Sequence, residues 1–234
     1  MTYDQPLIRA VLLRRYKRFL ADVTLPDGRE VTAHCANPGA MTGLSEAGTV
    51  VWLEPNIDPK RKLRYSWKLA EIDGALVGVD TALPNKVVGA ALRAQVVPGL
   101  SAYKTVRAEV KYGENSRVDF LLTQPGLPDC YVEVKSANLC RKAGLVEFPD
   151  TVTKRGAKHM VELAAMVAAG HRAVVLYLVQ RTDCTAFAVA NDIDPAYAAA
   201  FESARRAGVE ALCHRAALTL GGAGFAEALP IVAR

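Results

Sequence analysis

The chain has 234 residues, 51% of them hydrophobic, with 29 basic and 24 acidic side chains and a formal charge of +5. That is enough apolar material for one large domain or two small ones, and no apolar run is long enough for a bilayer-spanning helix, which excludes a disordered chain and a helical membrane protein. The modest positive charge favours an anionic partner.

The N-terminus, Met1-Thr2-Tyr3-Asp4-Gln5-Pro6, lacks the basic start and apolar core of a signal peptide. The five cysteines, Cys35, Cys130, Cys140, Cys184 and Cys213, form no Cys-x-x-Cys pair. An odd number of thiols without metal-site spacing argues against a disulfide frame and a structural zinc, and predicts a reduced, cytoplasmic protein.

Residues 7–81 read as β-rich. Strands are predicted at Arg9–Arg14 and Phe19–Leu25, turned by Pro26-Asp27-Gly28-Arg29 into Glu30–His34. Asn37–Met41 reads as loop, and Thr49–Leu53, Ser66–Ile72 and Ala75–Val79 as further strands. So many short strands in so few residues predict a small barrel of the OB type, which binds single strands through a basic, aromatic-dotted face. Tyr16, Phe19, Trp52, Tyr65 and Trp67 are the stacking candidates, although aromatics in barrels more often fill the core. Arg14, Arg15, Lys17 and Arg18 make the densest basic cluster. Further clusters are Lys60-Arg61-Lys62 with Arg64, Arg141-Lys142, and Lys154-Arg155 with Lys158. Folded onto one surface they would form a nucleic-acid track; singly, each is an ordinary solvated face.

The pattern changes at Leu83-Pro84-Asn85, where Pro84 suits a helix start and apolar residues at helical spacing run to Val97 before Pro98-Gly99. We therefore place a first domain at residues 1–82 and a second at 83–234. Thr105–Tyr112 is a strand, turned at Gly113-Glu114-Asn115 into Val118–Leu122. A Pro/Gly break separates that strand from Cys130–Ser136. Side chains two apart on a strand share a face, so Glu133 and Lys135 point one way and Val132 and Val134 the other. If the strands pair, Asp119 stands beside Glu133, with Glu109 a third acid within hairpin reach. Two carboxylates held together repel, and a hard dication such as Mg²⁺ relieves the repulsion. A dication so held generates hydroxide and binds a phosphoryl oxygen, and an adjacent lysine offsets developing charge.

Residues 136–150 read as loop, and a helix is expected from Thr151 to Ala169, capped by Asp150 or Thr151. Arg155, Lys158, His159 and Glu162 recur at spacings of three and four, the pattern of one polar stripe. Met160, Val161, Leu163, Ala164 and Val167 mark the buried side. His159 is a candidate for a phosphate or water contact; solvent-facing is the commoner case for a helix histidine. Arg172–Gln180 is nearly all apolar, as at the centre of an α/β sheet. Ala186–Ala190 is a short strand, Asp194 opens a helix to Ala207, Val209–Cys213 is the last central strand, and Leu218 onwards is edge or loop. The fold class is thus α/β, or α+β overall: an OB-like barrel followed by a mixed-sheet domain ordered like the restriction-endonuclease core, whose site is written Asp…(Asp/Glu)-x-Lys.

Seven strings carry a resemblance: Arg15–Phe19, Ala33–Met41, Leu83–Asn85, Arg107–Gly113, Ser116–Leu122, Tyr131–Lys135, and Phe148–Thr153 with Arg155-Gly156 and Lys158-His159. In this order and spread along the chain, they resemble the sugar fermentation stimulation protein (SfsA) family. The resemblance implies an OB-like domain joined to a PD-(D/E)xK nuclease-like domain, non-specific DNA binding, and a role in regulating maltose and other sugar metabolism. It implies Asp119, Glu133 and the backbone carbonyl of Val134 as ligands to Mg²⁺ (Mn²⁺ as substitute), Lys135 as the catalytic lysine, and Glu109 as an outer ligand. Many nucleases of this superfamily carry a glutamate on the first helix; here that position is Ala90. The implied DNA contacts are Arg14, Arg15, Lys17, Arg18, Asn37, Arg117, Lys154, Arg155, Lys158 and His159.

Three readings follow. One is a Mg²⁺-dependent nuclease acting on single- or double-stranded DNA, as monomer or homodimer. Another is a catalytically silent DNA-binding regulator. The third, a sugar or nucleotide binder, has no Gly-rich phosphate loop to support it. No helix-turn-helix is legible, so backbone contacts are expected to dominate binding.

Overall fold

The computed structural model describes residues 1–113 and 116–233. Glu114 and Asn115, where the sequence places a hairpin turn, lie outside the described residues.

Five strands close the N-terminal barrel: β1 (Ile8–Tyr16), β2 (Leu20–Thr24), β3 (Glu30–Cys35), β4 (Val50–Pro55) and β5 (Tyr65–Ile72). They run in the order β3-β2-β1-β4-β5, and β5 closes the ring by pairing parallel with β3. A sixth strand, β6 (Ala75–Gly78), folds back on β5. The period of two is visible inside, where Ala10, Leu12, Ala21, Val23, Val51 and Leu53 are all buried. Trp67 belongs to this core and donates its indole N–H to the Leu69 carbonyl at 2.9 Å, so it is no stacking platform. Phe19 stays 47% exposed and keeps that role open.

The second domain contains α1 (Leu83–Arg93), β7 (Thr105–Tyr112), β8 (Ser116–Thr123), β9 (Cys130–Ala137), β10 (Leu139–Lys142), β11 (Leu145–Phe148), α2 (Lys154–Ala168), β12 (Arg172–Val179), β13 (Ala186–Val189), α3 (Pro195–Arg206), β14 (Glu210–Thr219) and β15 (Gly222–Ala228). Its main sheet runs β15-β14-β12-β9-β8-β7. β7, β8 and β9 form an antiparallel meander, β9, β12 and β14 are parallel, and β15 closes the far edge antiparallel. α1 covers one face, packing Val88 and Leu92 against Phe120, Val132 and Leu176. α2 and α3 cover the other, with Met160, Leu163 and Tyr197 against Val175 and Tyr177. With both faces covered, β12 is apolar and buried from Ala173 to Val179, as its sequence requires.

Four expectations are corrected. Residues 136–150 are not all loop: β10 and β11 form a small sheet with β13, which leaves the main sheet. The long helix starts at Lys154, not Thr151, because the Thr153 hydroxyl accepts the Gly156 N–H at 3.0 Å and caps it. α1 ends at Arg93, leaving Val96 exposed. The segment after Leu218 is not loose, since β15 pairs with β14 along its length.

The domains meet at β6 and the end of β12. The Gly78 N–H donates to the Gln180 carbonyl at 2.8 Å, and Val77 bridges Arg181. No helix among the described residues is long and apolar enough to cross a membrane.

Candidate nuclease-like site

β8 and β9 pair through Leu122↔Cys130, Leu121↔Tyr131 and Phe120↔Val132, and the ladder stops at Asp119. There the strands are joined by a side chain instead: the Val134 N–H donates to Asp119 Oδ2 at 2.7 Å. Asn85 on α1 donates to Oδ1, also at 2.7 Å. Burial, and then the negative charge of Glu133, push the Asp119 carboxyl up to about 6 against those two donors.

Glu133 is 3% exposed. Lys135 Nζ donates to its Oε1 at 2.7 Å, and His159 Nδ1 on α2 makes a short hydrogen bond to the same oxygen. Burial raises the Glu133 carboxyl, but His159 and Lys135 outweigh it and hold the group below its ordinary value. The Arg155 Nε–H reaches His159 Nε2 at 3.3 Å, so both imidazole nitrogens are engaged, Nδ1 by Glu133 and Nε2 by Arg155. The two carboxylates therefore differ: Glu133 is held below its ordinary value and Asp119 is pushed up to about 6.

Sequence reasoning placed His159 on a polar stripe. It is 4% exposed, and Glu162, one turn further on, is 8% exposed, while Val161 is exposed at 65%. Of that stripe His159 and Glu162 turn inward, His159 onto Glu133 and Glu162 with Lys158 Nζ at 3.5 Å, while Arg155 and Lys158 stay exposed. Sequence reasoning gave no role to Asn85, Tyr112 or Glu162. Tyr112 is buried with its hydroxyl unpartnered, and burial followed by the charges of Glu133, Glu162 and Asp119 raises its pKa well above the ordinary value. Glu133 Oε2 and both Glu162 oxygens are also buried without a hydrogen-bond partner. Only the spacing of three between His159 and Glu162 signalled any of this in the sequence.

Of the other predicted residues, Glu109 stands across from Asp119 in register, with φ of +54° interrupting the ladder. It is exposed and lines a groove of about 610 Å³ with Arg117, Lys154, Arg155, Lys158 and His159. The barrel cluster is separate from this groove. Arg14 is paired with Asp22 at 2.8 Å. The Arg15 guanidinium is a brace, donating to the carbonyls of Asn37 at 2.7 Å and Gly39 at 3.0 Å. Lys17 and Arg18 sit in a left-handed turn, φ +48° and +65°, with Arg18 Nε reaching the Pro38 carbonyl at 3.3 Å. Asn37 is 6% exposed, and its Oδ1 accepts the Gly39 N–H at 2.8 Å. Away from the site, the ligand atoms of Cys140, Asp183 and Cys184 lie within 4.8 Å of one another, though the Asp183 carboxylate is already held by Arg181.

A model of the SfsA N-terminal OB domain matches residues 13–79, and a model of the sugar fermentation stimulation protein RE domain matches residues 82–222. The chain belongs to the sugar fermentation stimulation protein family. Sugar fermentation stimulation protein homologs from Dinoroseobacter shibae and Ruegeria pomeroyi are each 60% identical to it. The first alignment covers 99% of this chain and 96% of the relative, the second 98% and 100%. Among solved structures, SfsA of Pyrococcus furiosus, described in complex with Ca²⁺, superposes with a TM-score of 0.89 at 26% identity, covering 99% of this chain and 98% of that one. The barrel and the mixed α/β domain are thus the family fold.

Proposed function

We propose that this protein binds DNA and hydrolyses its phosphodiester bonds with a divalent cation, Mg²⁺ or in its place Mn²⁺. The observation that carries the reading is the convergence of Asp119, Glu133 and Lys135 beside a buried Glu133 oxygen that has no partner of its own. An orphaned, buried carboxylate oxygen fits a cation better than solvent. Asp119, Glu133 and the carbonyl of Val134 are the residues that would hold it. The Ca²⁺ complex of the Pyrococcus furiosus relative supports a hard divalent cation, which oxygen ligands suit. When bound, the cation polarises a phosphoryl oxygen and acidifies a water.

The protein's residues do the rest. His159 and Lys135 keep Glu133 anionic, so it stays a ligand. Lys135 is held 2.7 Å from Glu133, where its ammonium orients a water and offsets charge developing on phosphorus. Arg117, Lys154, Arg155 and Lys158 line the groove leading to His159 and hold the phosphate backbone.

The test is cleavage of labelled single- and double-stranded DNA with Mg²⁺, Mn²⁺ or EDTA, beside a Glu133→Ala, Lys135→Ala variant. Metal-dependent cutting that vanishes in the variant is the expected result. Binding without cutting, unchanged in the variant, would move the weight to a DNA-binding regulator.

A further inference from the structure

A second cleft of about 360 Å³ opens where the two domains meet, and none of the chemistry above uses it. Its walls come from the barrel loop Asn37-Pro38-Gly39, from Ser136 and Asn138 at the end of β9, and from Phe148, Asp150 and Thr153 before α2. Ser136 directly follows Lys135, and Thr153 directly precedes Lys154. The cleft therefore adjoins both the reacting end of β9 and the basic groove. On its other side the same barrel loop is gripped by Arg15 and Arg18.

The lining is polar but not cationic. Asn37 and Asn138 are 6% and 8% exposed. Each amide spends one half on the fold: Asn37 Oδ1 accepts the Gly39 N–H, and Asn138 Nδ2 donates to the Gly78 carbonyl at 3.3 Å. These bonds fix both orientations, leaving Asn37 Nδ2 as a donor and Asn138 Oδ1 as an acceptor. Neither atom is among the buried groups lacking a partner, and both residues line the cleft. The Ser136 hydroxyl accepts from Gln180 at 2.7 Å and keeps its own proton to donate. Pro38 and Phe148 add apolar walls, and the Phe148 ring is packed against Tyr177 and Tyr197. Phosphate is a poor occupant, because Asp150 and Glu147 line the cleft and no lysine or arginine does.

A neutral, flat group with hydrogen-bonding edges and apolar faces suits this lining, in a cleft of the size small-molecule sites occupy. Lys154 and Arg155, which line the neighbouring groove, follow directly on Thr153 of this cleft and are the cations nearest in sequence for a phosphate beside such a group. We propose that the interdomain cleft receives one nucleobase of the bound strand, turned out of its stack beside the reacting phosphate, and reads its edge with Asn37 and Asn138. This rests on the nucleic-acid reading above and deepens it. Enzymes that do chemistry on a base turn it out of its stack into a pocket and read its edge by hydrogen bonds, and this lining offers the same kind of contacts.

The test uses single-stranded oligonucleotides carrying 2-aminopurine at successive positions, mixed with the full chain in EDTA so that nothing is cut. Fluorescence should rise several-fold at one position, as that base leaves its neighbours, and little elsewhere. Asn138→Leu removes the reading amide from the cleft wall and should abolish that rise with overall affinity changed less than about tenfold, and an abasic site at the same position should weaken wild-type binding. A complex that forms with uniform fluorescence, or a rise that survives Asn138→Leu, would overturn the inference and leave backbone binding intact. Failure of every oligonucleotide to bind would overturn the nucleic-acid reading itself, and this inference with it.

Discussion

His159 hydrogen-bonds Glu133 across 26 residues of sequence, and Lys135 shares the same carboxylate oxygen. A helix residue thereby fixes the charge of a strand residue. Replacing His159 by alanine leaves Glu133 with Lys135 alone and frees Arg155 to swing into the groove. We expect His159→Ala to lower metal-dependent cleavage by roughly two orders of magnitude, as loss of a group that orients a catalytic carboxylate does. Stability should fall by about 1–3 kcal/mol for the buried partner left unmade. His159→Gln, which keeps a donor, should recover much of both. Unchanged cleavage rates in His159→Ala would remove the residue from the machinery.

A second cluster makes a pH prediction. Lys68 Nζ lies 3.4 Å from Glu54 and 3.0 Å from Asp80, all three side chains less than one-fifth exposed. Burial alone would raise Asp80, but Lys68 and the Ala82 N–H hold it below the ordinary 3.8. Burial alone would lower Lys68, but Asp80 and Glu54 hold it above 10.5. The folded acid has the lower pKa, so its stabilisation is complete above its unfolded value and disappears as pH falls through the folded one. The folded lysine has the higher pKa, so its contribution is complete below its unfolded value and disappears as pH rises through the folded one. Stability should hence be flat in this respect between about pH 4 and 10. Lys68→Met strands two buried acids and should cost about 3–5 kcal/mol at pH 7, less at pH 4. Urea melts at both pH values decide it, and an equal loss at each would contradict the assignment.

Much of this was legible in the sequence, for definite reasons. A strand repeats every two residues, so Glu133 and Lys135 had to share a face, and the Pro/Gly break before them put Asp119 alongside. β10 and β11 were not legible because each has four residues, and Arg141-Lys142 with Gly144 gives the segment the look of a loop. β15 reads Gly-Ala-Gly-Phe-Ala-Glu-Ala, poor in strand-forming residues, and exists through its pairing with β14. The inward turn of His159 and Glu162 was hidden because polarity normally marks the solvent face, and for His159 only a partner on another element, Glu133, reverses it. Asn85 and Tyr112 carry no spacing signal; their neighbours in space, Asp119 and Glu133, are distant in the chain.

The basic residues separate by whether their charge is already spent. Lys154 and Arg117 line the groove and make no ion pair with a described residue, whereas Arg14 is bound to Asp22 and lies over the Tyr16 ring at 4.9 Å. Each free cation that meets a phosphate releases a counterion, which lowers log K by about 0.7–0.9 per unit of log salt. Lys154→Ala and Arg117→Ala should each flatten that slope by about one, and Arg14→Ala by clearly less. Binding isotherms between 50 and 200 mM salt measure this, the range in which such contacts weigh most. Equal effects from all three would mean that Asp22 does not restrain Arg14.

Gly89 lies where α1 crosses the sheet, and a Cβ there would stand 2.9 Å from the Phe120 ring. Two effects oppose each other in Gly89→Ala. Alanine gains about 1 kcal/mol of helix propensity. Overpacking costs about 1–3 kcal/mol, and it dominates here because Phe120 is 3% exposed in a closed core and has no way to yield. The net expectation is a loss of about 1 kcal/mol in urea unfolding, reversed in Gly89→Ala with Phe120→Leu, which makes the room. The displacement also reaches the site, since Asn85 sits one turn before Gly89 and donates to Asp119. Divalent-cation affinity, followed by titration calorimetry with Mn²⁺, should fall in the single variant and return in the double one. A stabilised single variant would show that α1 has slack over β8, and that Asn85 holds Asp119 without help from the helix packing.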